Sequence, residues 1–271
     1  MGTLIAKTKH KLRWVLWTLS GYFGATVKLD VPQKVVVLIT YYHPARMNHI
    51  SIQVRNILKC DFVEKVVISN HNPDIKIEDK ISFTDKRLMY INQNIRRSCG
   101  YRWRIANDLQ ADYLIVIDDD ILPFPSQLKM LFQQQLLAPE VPHGFSGMLH
   151  LEKDELQYRE REDIDVHYLC EVYAVTRKQV KNYFIMEKLI GIQDKNLPDT
   201  VERLGDFIVI SQTAEQNPRI HNAGRLFRND TFKTPGIANH KDEKFRYHTL
   251  AVSRAVKEVQ SQGLALKGDL E

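Results

Sequence analysis

Long hydrophobic runs are missing from this 271-residue chain. The most apolar stretch near the N-terminus, Trp14 to Phe23, falls short of the roughly 20 residues a spanning helix needs. No clean small-residue cleavage site follows it, so it does not read as a secretory signal. Cysteine is sparse: Cys60, Cys99 and Cys170 are odd in number and widely spaced. They exclude a zinc cage and a disulfide framework and suggest a reducing, cytoplasmic setting. The chain also lacks internal repeats, low-complexity tracts and any linker that would divide it. Residues 31–271 are therefore expected to form a single domain, preceded by a basic, amphipathic segment over residues 1–30. A net charge of +5 and a pI near 8.9 favour an anionic ligand or surface, with nothing that implies nucleic acid.

That leading segment has two readings. Lys7, Lys9, His10, Lys11 and Arg13 precede two tryptophans, Trp14 and Trp17. The pattern suits a helix lying peripherally on a membrane surface. It equally suits a helix packed on the domain or on a partner chain.

From Val35 the chain alternates strand-like and helix-like segments. Apolar, β-branched runs at Val35–Thr40, Val63–Ser69, Leu88–Ile91 and Tyr113–Ile117 read as strands. Helical spacing covers Asn48–Leu58, and Ser98 is placed to cap a helix from Gly100 to Leu109. The series predicts an α/β fold, a mostly parallel central sheet flanked by helices. Further on, Pro123–Ala138 and Arg177–Phe184 read as helices, Tyr168–Thr176 as a strand and Leu250–Gln260 as a closing helix. Glu152–Asp165 is so dense in charge that it reads as an exposed loop. Phe207–Ser211 fits either a strand or a helix capped by Asp206.

The chemistry concentrates at Asp118, Asp119 and Asp120, which end the Tyr113–Ile117 run. Three carboxylates at the exit of a buried strand are costly unless something compensates them. Strand carboxyl ends are where open α/β sheets bind ligands. Strand alternation would turn Asp118 and Asp120 into one crevice and Asp119 away. Such a pair suits a hard divalent cation, and the cation suits a diphosphate. The strand ends at Thr40 and Tyr41 and at Asn70 would share that rim. Asn70 can read a pyrimidine edge and Tyr41 can stack on it, although the Asn70–Pro73 stretch is equally ordinary turn chemistry. Of the basic cluster Arg96, Arg97, Arg102 and Arg104, the last two are the candidates for forked phosphate contacts.

Four segments in order resemble the GT-A glycosyltransferases, and within them the exostosin-like (family 64-like) group. Val35–Tyr42 is similar to their first strand and nucleotide-contacting turn. Val66–Asn70 resembles their second strand, and Tyr113–Ile121 the strand that carries their DxD motif. Gly236–Lys241 resembles a C-terminal Asn-His-Lys stretch. Where that group carries an acidic pair, this chain has Gly205-Asp206. The resemblance implies a metal-dependent hexosyl- or N-acetylhexosaminyltransferase. It would use a UDP-sugar donor, a glycan or lipid-linked acceptor and Mn²⁺ or Mg²⁺. Asp120 would take the metal, Asp118 the ribose or a metal-bound water, and Asp119 is left ambiguous. Asp206 would be the catalytic base or orient the acceptor. His240 and Lys241 would meet the metal or diphosphate, with His221 and His248 as competitors.

Three other readings are weighed. A haloacid-dehalogenase phosphatase would need Thr or Val two residues after the second Asp, and Ile121 and Leu122 fit that poorly. A nucleotidyltransferase acting on sugar phosphates shares the sheet and the metal-bound diphosphate, but its Gly-rich loop is absent at Tyr41-Tyr42-His43-Pro44. A catalytically lapsed scaffold of the same fold is the non-enzymatic alternative.

Overall fold

The structure, a computed structural model, describes residues 2–151, 155–229, 231, 234 and 244–262. In chain order the elements are α1 (Gly2–Phe23), β1 (Val35–Tyr41), α2 (Ile50–Leu58), β2 (Val63–Asn70), β3 (Leu88–Asn92), α3 (Arg102–Leu109) and β4 (Tyr113–Asp118). There follow α4 (Pro125–Leu137), β5 (His143–Gly144), β6 (Ser146–Leu151), β7 (Glu155–Glu160), β8 (Ile164–Asp165), β9 (Tyr168–Cys170) and β10 (Val172–Thr176). The last are α5 (Arg177–Gln193), α6 (Leu197–Thr200), α7 (Asp206–Ser211), β11 (Arg219–Ile220) and α8 (Phe245–Ser261).

The central sheet runs β3-β2-β1-β4-β10-β5-β11-β8, and its first four strands are mutually parallel. β10 then joins β4 antiparallel. Every residue of β1 is buried, because helices cover both faces of the sheet. Val36 and Leu38 face α3, α5, α7 and α8, packing with Trp103, Tyr183, Ile208 and Val252. Val37 and Ile39 face α2 and α4, packing with Val54, Ile57, Leu128 and Phe132. A small antiparallel sheet, β7-β6-β9, stands beside the main one. The fold is α/β with a mixed, mostly parallel central sheet flanked by helices.

Two local expectations change, and one open alternative is decided. Glu155–Glu160 is a strand rather than a loop. It pairs along its whole length with β6, and its charges are tolerated because the strand lies at the edge of a small sheet. Tyr168–Thr176 is two strands in two sheets, broken at Glu171, whose backbone has φ +67°. Phe207–Ser211 is helical, and it follows a one-turn π-helix at Val201–Gly205.

α1 packs on the domain through one face. Trp17 is buried with Leu122 and Phe227, and its Nε1 donates to Pro123 O at 3.3 Å. Asn56 Nδ2 donates to Trp17 O at 3.0 Å, and Gly21 lets α2 approach closely.

Under the sheet, His143 and His221 form a buried pair. His143 Nε2 lies 2.8 Å from Ala138 O, so it carries the proton. Its Nδ1 therefore accepts from His221 Nε2, 2.9 Å away. Burial holds both rings below their ordinary pKa, His221 at about 4. The folded state thus keeps both neutral while the unfolded chain protonates near pH ~6.5. The stability they confer is complete above that value and is lost as pH falls toward about 4. Urea midpoints should decline across this window. His221→Gln should flatten part of the decline, and an unchanged acid slope in that variant would contradict the assignment.

Candidate functional site

The chain after β1 crosses to β2, while β4 lies on β1's other side. The order therefore reverses between β1 and β4, where open sheets bind ligands. Thr40 and Asp118 are register partners at that point. A crevice of about 1340 Å³ opens above them. Its lining includes Thr40, Tyr42, Arg46, the three aspartates, Glu171, Asp206 and Arg228.

β4 ends at Asp118, and a turn closes there as Ile121 N–H donates to Asp118 O at 3.1 Å. Strand alternation consequently stops one residue into the triplet, and Asp119 does not face away. Arg46 Nη1 bonds Asp119 Oδ1, and its Nη2 lies 3.0 Å from Asp120 Oδ2. The loop before residue 230 pins the turn from behind. Leu122 N donates to Phe227 O at 2.8 Å, and Asn229 N to Asp120 O at 2.9 Å.

Behind the triplet lies a buried ion-pair network. Arg102 Nε and Nη2 each lie 2.8 Å from Asp206 Oδ2, and its Nη1 bonds Asp118 Oδ1. Trp103 Nε1 donates to the same Asp206 oxygen at 2.9 Å. Asp206 is thus held as the counter-ion of a guanidinium at the head of α7. Gly205 explains the missing first acid. A Cβ there would come within 2.7 Å of Val252 Cγ2 on α8, so no larger side chain fits. Gly205→Ala is expected to cost about 1–3 kcal/mol by overpacking. A chemical-denaturation midpoint equal to the parent's would contradict that packing.

Several predicted site residues sit elsewhere. Tyr41 is wholly buried with its hydroxyl on Gln53, so it cannot stack on a base. Both tyrosines line the crevice, but only Tyr42, 44% exposed, offers its ring to it. Asn70 is turned into the loop that follows β2. Its Oδ1 accepts from Asn72 N at 3.0 Å and its Nδ2 donates to Ile75 O and Asn92 Oδ1. The turn reading holds there, and Asn70 is absent from the lining. Arg104 points outward to Glu187 and Glu202. From the same cluster Arg96 and Arg97 reach the crevice. Arg97 Nε and His71 Nε2, both buried, have no hydrogen-bond partner among the described residues. His221 belongs to the histidine pair, while His248 lines the crevice. His240, Lys241 and the whole Gly236–Lys241 stretch lie outside the described residues.

Three contributors escaped the sequence reading. Arg46 follows β1 in a 3-10 turn opened by Pro44, and only that short spacing from the strand end hinted at it. Glu171 takes Arg228 Nε and Nη2 at 2.7 Å, and Ser146 Oγ and Tyr158 OH also donate to it. Its left-handed backbone is the kind of strain that collects at functional sites.

The site is short of positive charge. Burial pushes Asp120 up to about 8, with the charges of Asp119, Asp118 and Glu171 adding to it, despite the pull of Arg46. Burial likewise raises Asp118 to about 6 against the pull of Arg102. Among the described residues, no three His, Cys, Asp or Glu side chains form a ready-made metal cage. The donor chemistry nonetheless fits a hard cation: carboxylate oxygens, an excess of negative charge and room above for further oxygen ligands.

No protein-family model and no curated protein matches this sequence. Among solved structures, "Crystal structure of GalNAc-T7 with UDP, GalNAc and Mn2+" is similar in fold, with a TM-score of 0.52 at 11% identity. The match covers 73% of this chain and 44% of that one, so the chain spans less than half the length of that protein. At such identity the likeness speaks for architecture alone. The α/β domain of this chain has a GT-A-like fold, similar to that of a glycosyltransferase.

Proposed function

We propose that the chain is a metal-dependent glycosyltransferase that takes its sugar from a nucleotide diphosphate donor, a UDP-sugar. One observation carries this reading: a charge-deficient acidic triplet at the β1/β4 switch point, at the floor of a large crevice. The sequence resemblance to exostosin-like enzymes adds an N-acetylhexosamine donor and a retaining outcome to the proposal. Residues 31–271 would act as the single catalytic domain.

In the reaction the bond from the anomeric carbon to the diphosphate oxygen breaks. A bond from that carbon to an acceptor hydroxyl oxygen forms, and the hydroxyl's proton passes to the leaving diphosphate oxygen. Asp120 would hold Mn²⁺ or Mg²⁺, with Asp118 reaching it through water. When bound, the cation neutralises charge that builds on the leaving diphosphate. Tyr42 offers an exposed ring for the base, and Thr40 lies at the floor below it. Arg97 lines the crevice and would offer its guanidinium to the phosphates. Asp206 is better suited to positioning than to proton transfer, because its Oδ2 already receives Arg102 and Trp103. Arg46 would trade its hold on Asp120 for the donor's phosphate, since the cation replaces it there.

Thermal melts with a nucleotide panel test the reading. UDP with Mn²⁺ should raise the midpoint by several degrees, and UDP alone by less. Preference for a nucleoside triphosphate would transfer the site to nucleotidyl transfer. Silence toward every nucleotide would overturn the enzymatic reading and leave a scaffold.

A further inference from the structure

Among the described residues, nothing covers the outer face of α1. Its inner face is spoken for by Trp17, Gly21 and the contact with α2. On the opposite side Leu12, Leu16, Leu19 and Phe23 are 58%, 50%, 46% and 82% exposed. Their spacing of four, three and four residues makes one continuous stripe along the helix. A helix already docked by its other face has no need of such a stripe for folding, and water penalises it.

Charge indicates what covers it. No acidic residue occurs before Asp30, whereas Lys7, Lys9, Lys11, Arg13 and Lys28 all do. Lys11 is exposed beside the stripe. On the helix's other flank Arg13 donates to Arg225 O at 2.7 Å, which brings a second arginine beside α1. A second copy of the chain meeting stripe to stripe would bring these like charges together. An anionic surface with an apolar interior satisfies both features at once. Among the described residues no helix is long and apolar enough to cross a membrane.

We infer that α1 docks the protein on an anionic lipid surface, its leucine and phenylalanine stripe entering the headgroup boundary and its basic residues meeting lipid phosphates and carboxylates. The helix lies flat, held to the domain by its tryptophan face. Phe227 packs on Trp14 and Trp17 and precedes Arg228, which lines the crevice, so the docked helix sits beside the crevice mouth. The inference does not depend on the transferase reading.

Flotation of the full chain with phosphatidylcholine vesicles, with and without phosphatidylserine, tests it without any nucleotide present. The protein should float with the serine-lipid vesicles at low salt and not with phosphatidylcholine alone, and high salt should release it. Leu16→Asp with Phe23→Asp should weaken binding by about tenfold or more at an unchanged melting temperature, since both side chains are exposed. Lys11→Glu should weaken it without touching the stripe. Failure to float with serine-lipid vesicles overturns the inference, as does equal flotation of parent and double variant. A concentration-dependent dimer that the double variant abolishes, without vesicle binding, assigns the stripe to a second copy and also overturns it.

Discussion

Arg102→Met should destabilise the fold by about 3–5 kcal/mol, the range for removing one partner of a buried ion pair. Arg102 is buried and its three nitrogens serve two carboxylates, Asp206 and Asp118. Without it Asp206 keeps, among the described residues, only the Trp103 N–H and a weak thiol contact for a charge shut off from water. Arg102→Lys retains the charge but loses the planar fork, so it should recover only part of the loss. Adding Asp206→Leu to Arg102→Met removes the stranded charge and should make the double variant more stable than the single one. Urea midpoints read all three. A single variant within about 0.5 kcal/mol of the parent would show that the pair does not hold α3 to α7.

Asp120→Asn should separate stability from function. As the proposed metal ligand, its loss should lower metal-dependent release of UDP from a UDP-sugar by about 10²–10³-fold, the scale on which single electrostatic contributors act. Stability should move the other way. The folded carboxyl titrates at about 8 while the unfolded one titrates near 3.9, so the folded state binds the extra proton between those values. Charging Asp120 therefore costs stability increasingly as pH rises through this window. The amide escapes that cost, and its advantage over the parent should grow from about pH 5 to pH 8 in metal-free buffer. A variant less stable than the parent at pH 8, or one with undiminished UDP release, would contradict the assignment.

The parallel half of the sheet was legible because its strands are buried on both faces and therefore read as unbroken apolar runs, as at Val35–Tyr41 and Tyr113–Ile117. Their ends marked the crevice, and the triplet was found from them. What stayed hidden depends on partners far away in sequence. β7 reads as a charged loop until β6 pairs with it. Arg46 meets Asp119 across 73 positions, and Arg228 meets Glu171 across 57. Within the arginine cluster, the α3 turn decides the outcome. It buries Arg102 among acids and sends Arg104 to the surface, and no composition argument fixes that rotation. Tyr41 and Tyr42 were exchanged for a similar reason. Strand alternation assigns opposite faces to neighbours, but which of them offers an exposed ring is set by how β1 sits between β2 and β4.

The proposed function requires the crevice over Asp118–Asp120 to bind a nucleotide diphosphate together with a divalent cation. Calorimetric titration of UDP into the full chain, with and without Mn²⁺, measures that coupling. UDP binding should tighten by about tenfold or more when Mn²⁺ is present, and Asp120→Asn should lose that gain. UDP affinity that is absent, or indifferent to Mn²⁺ and to Asp120, would contradict it.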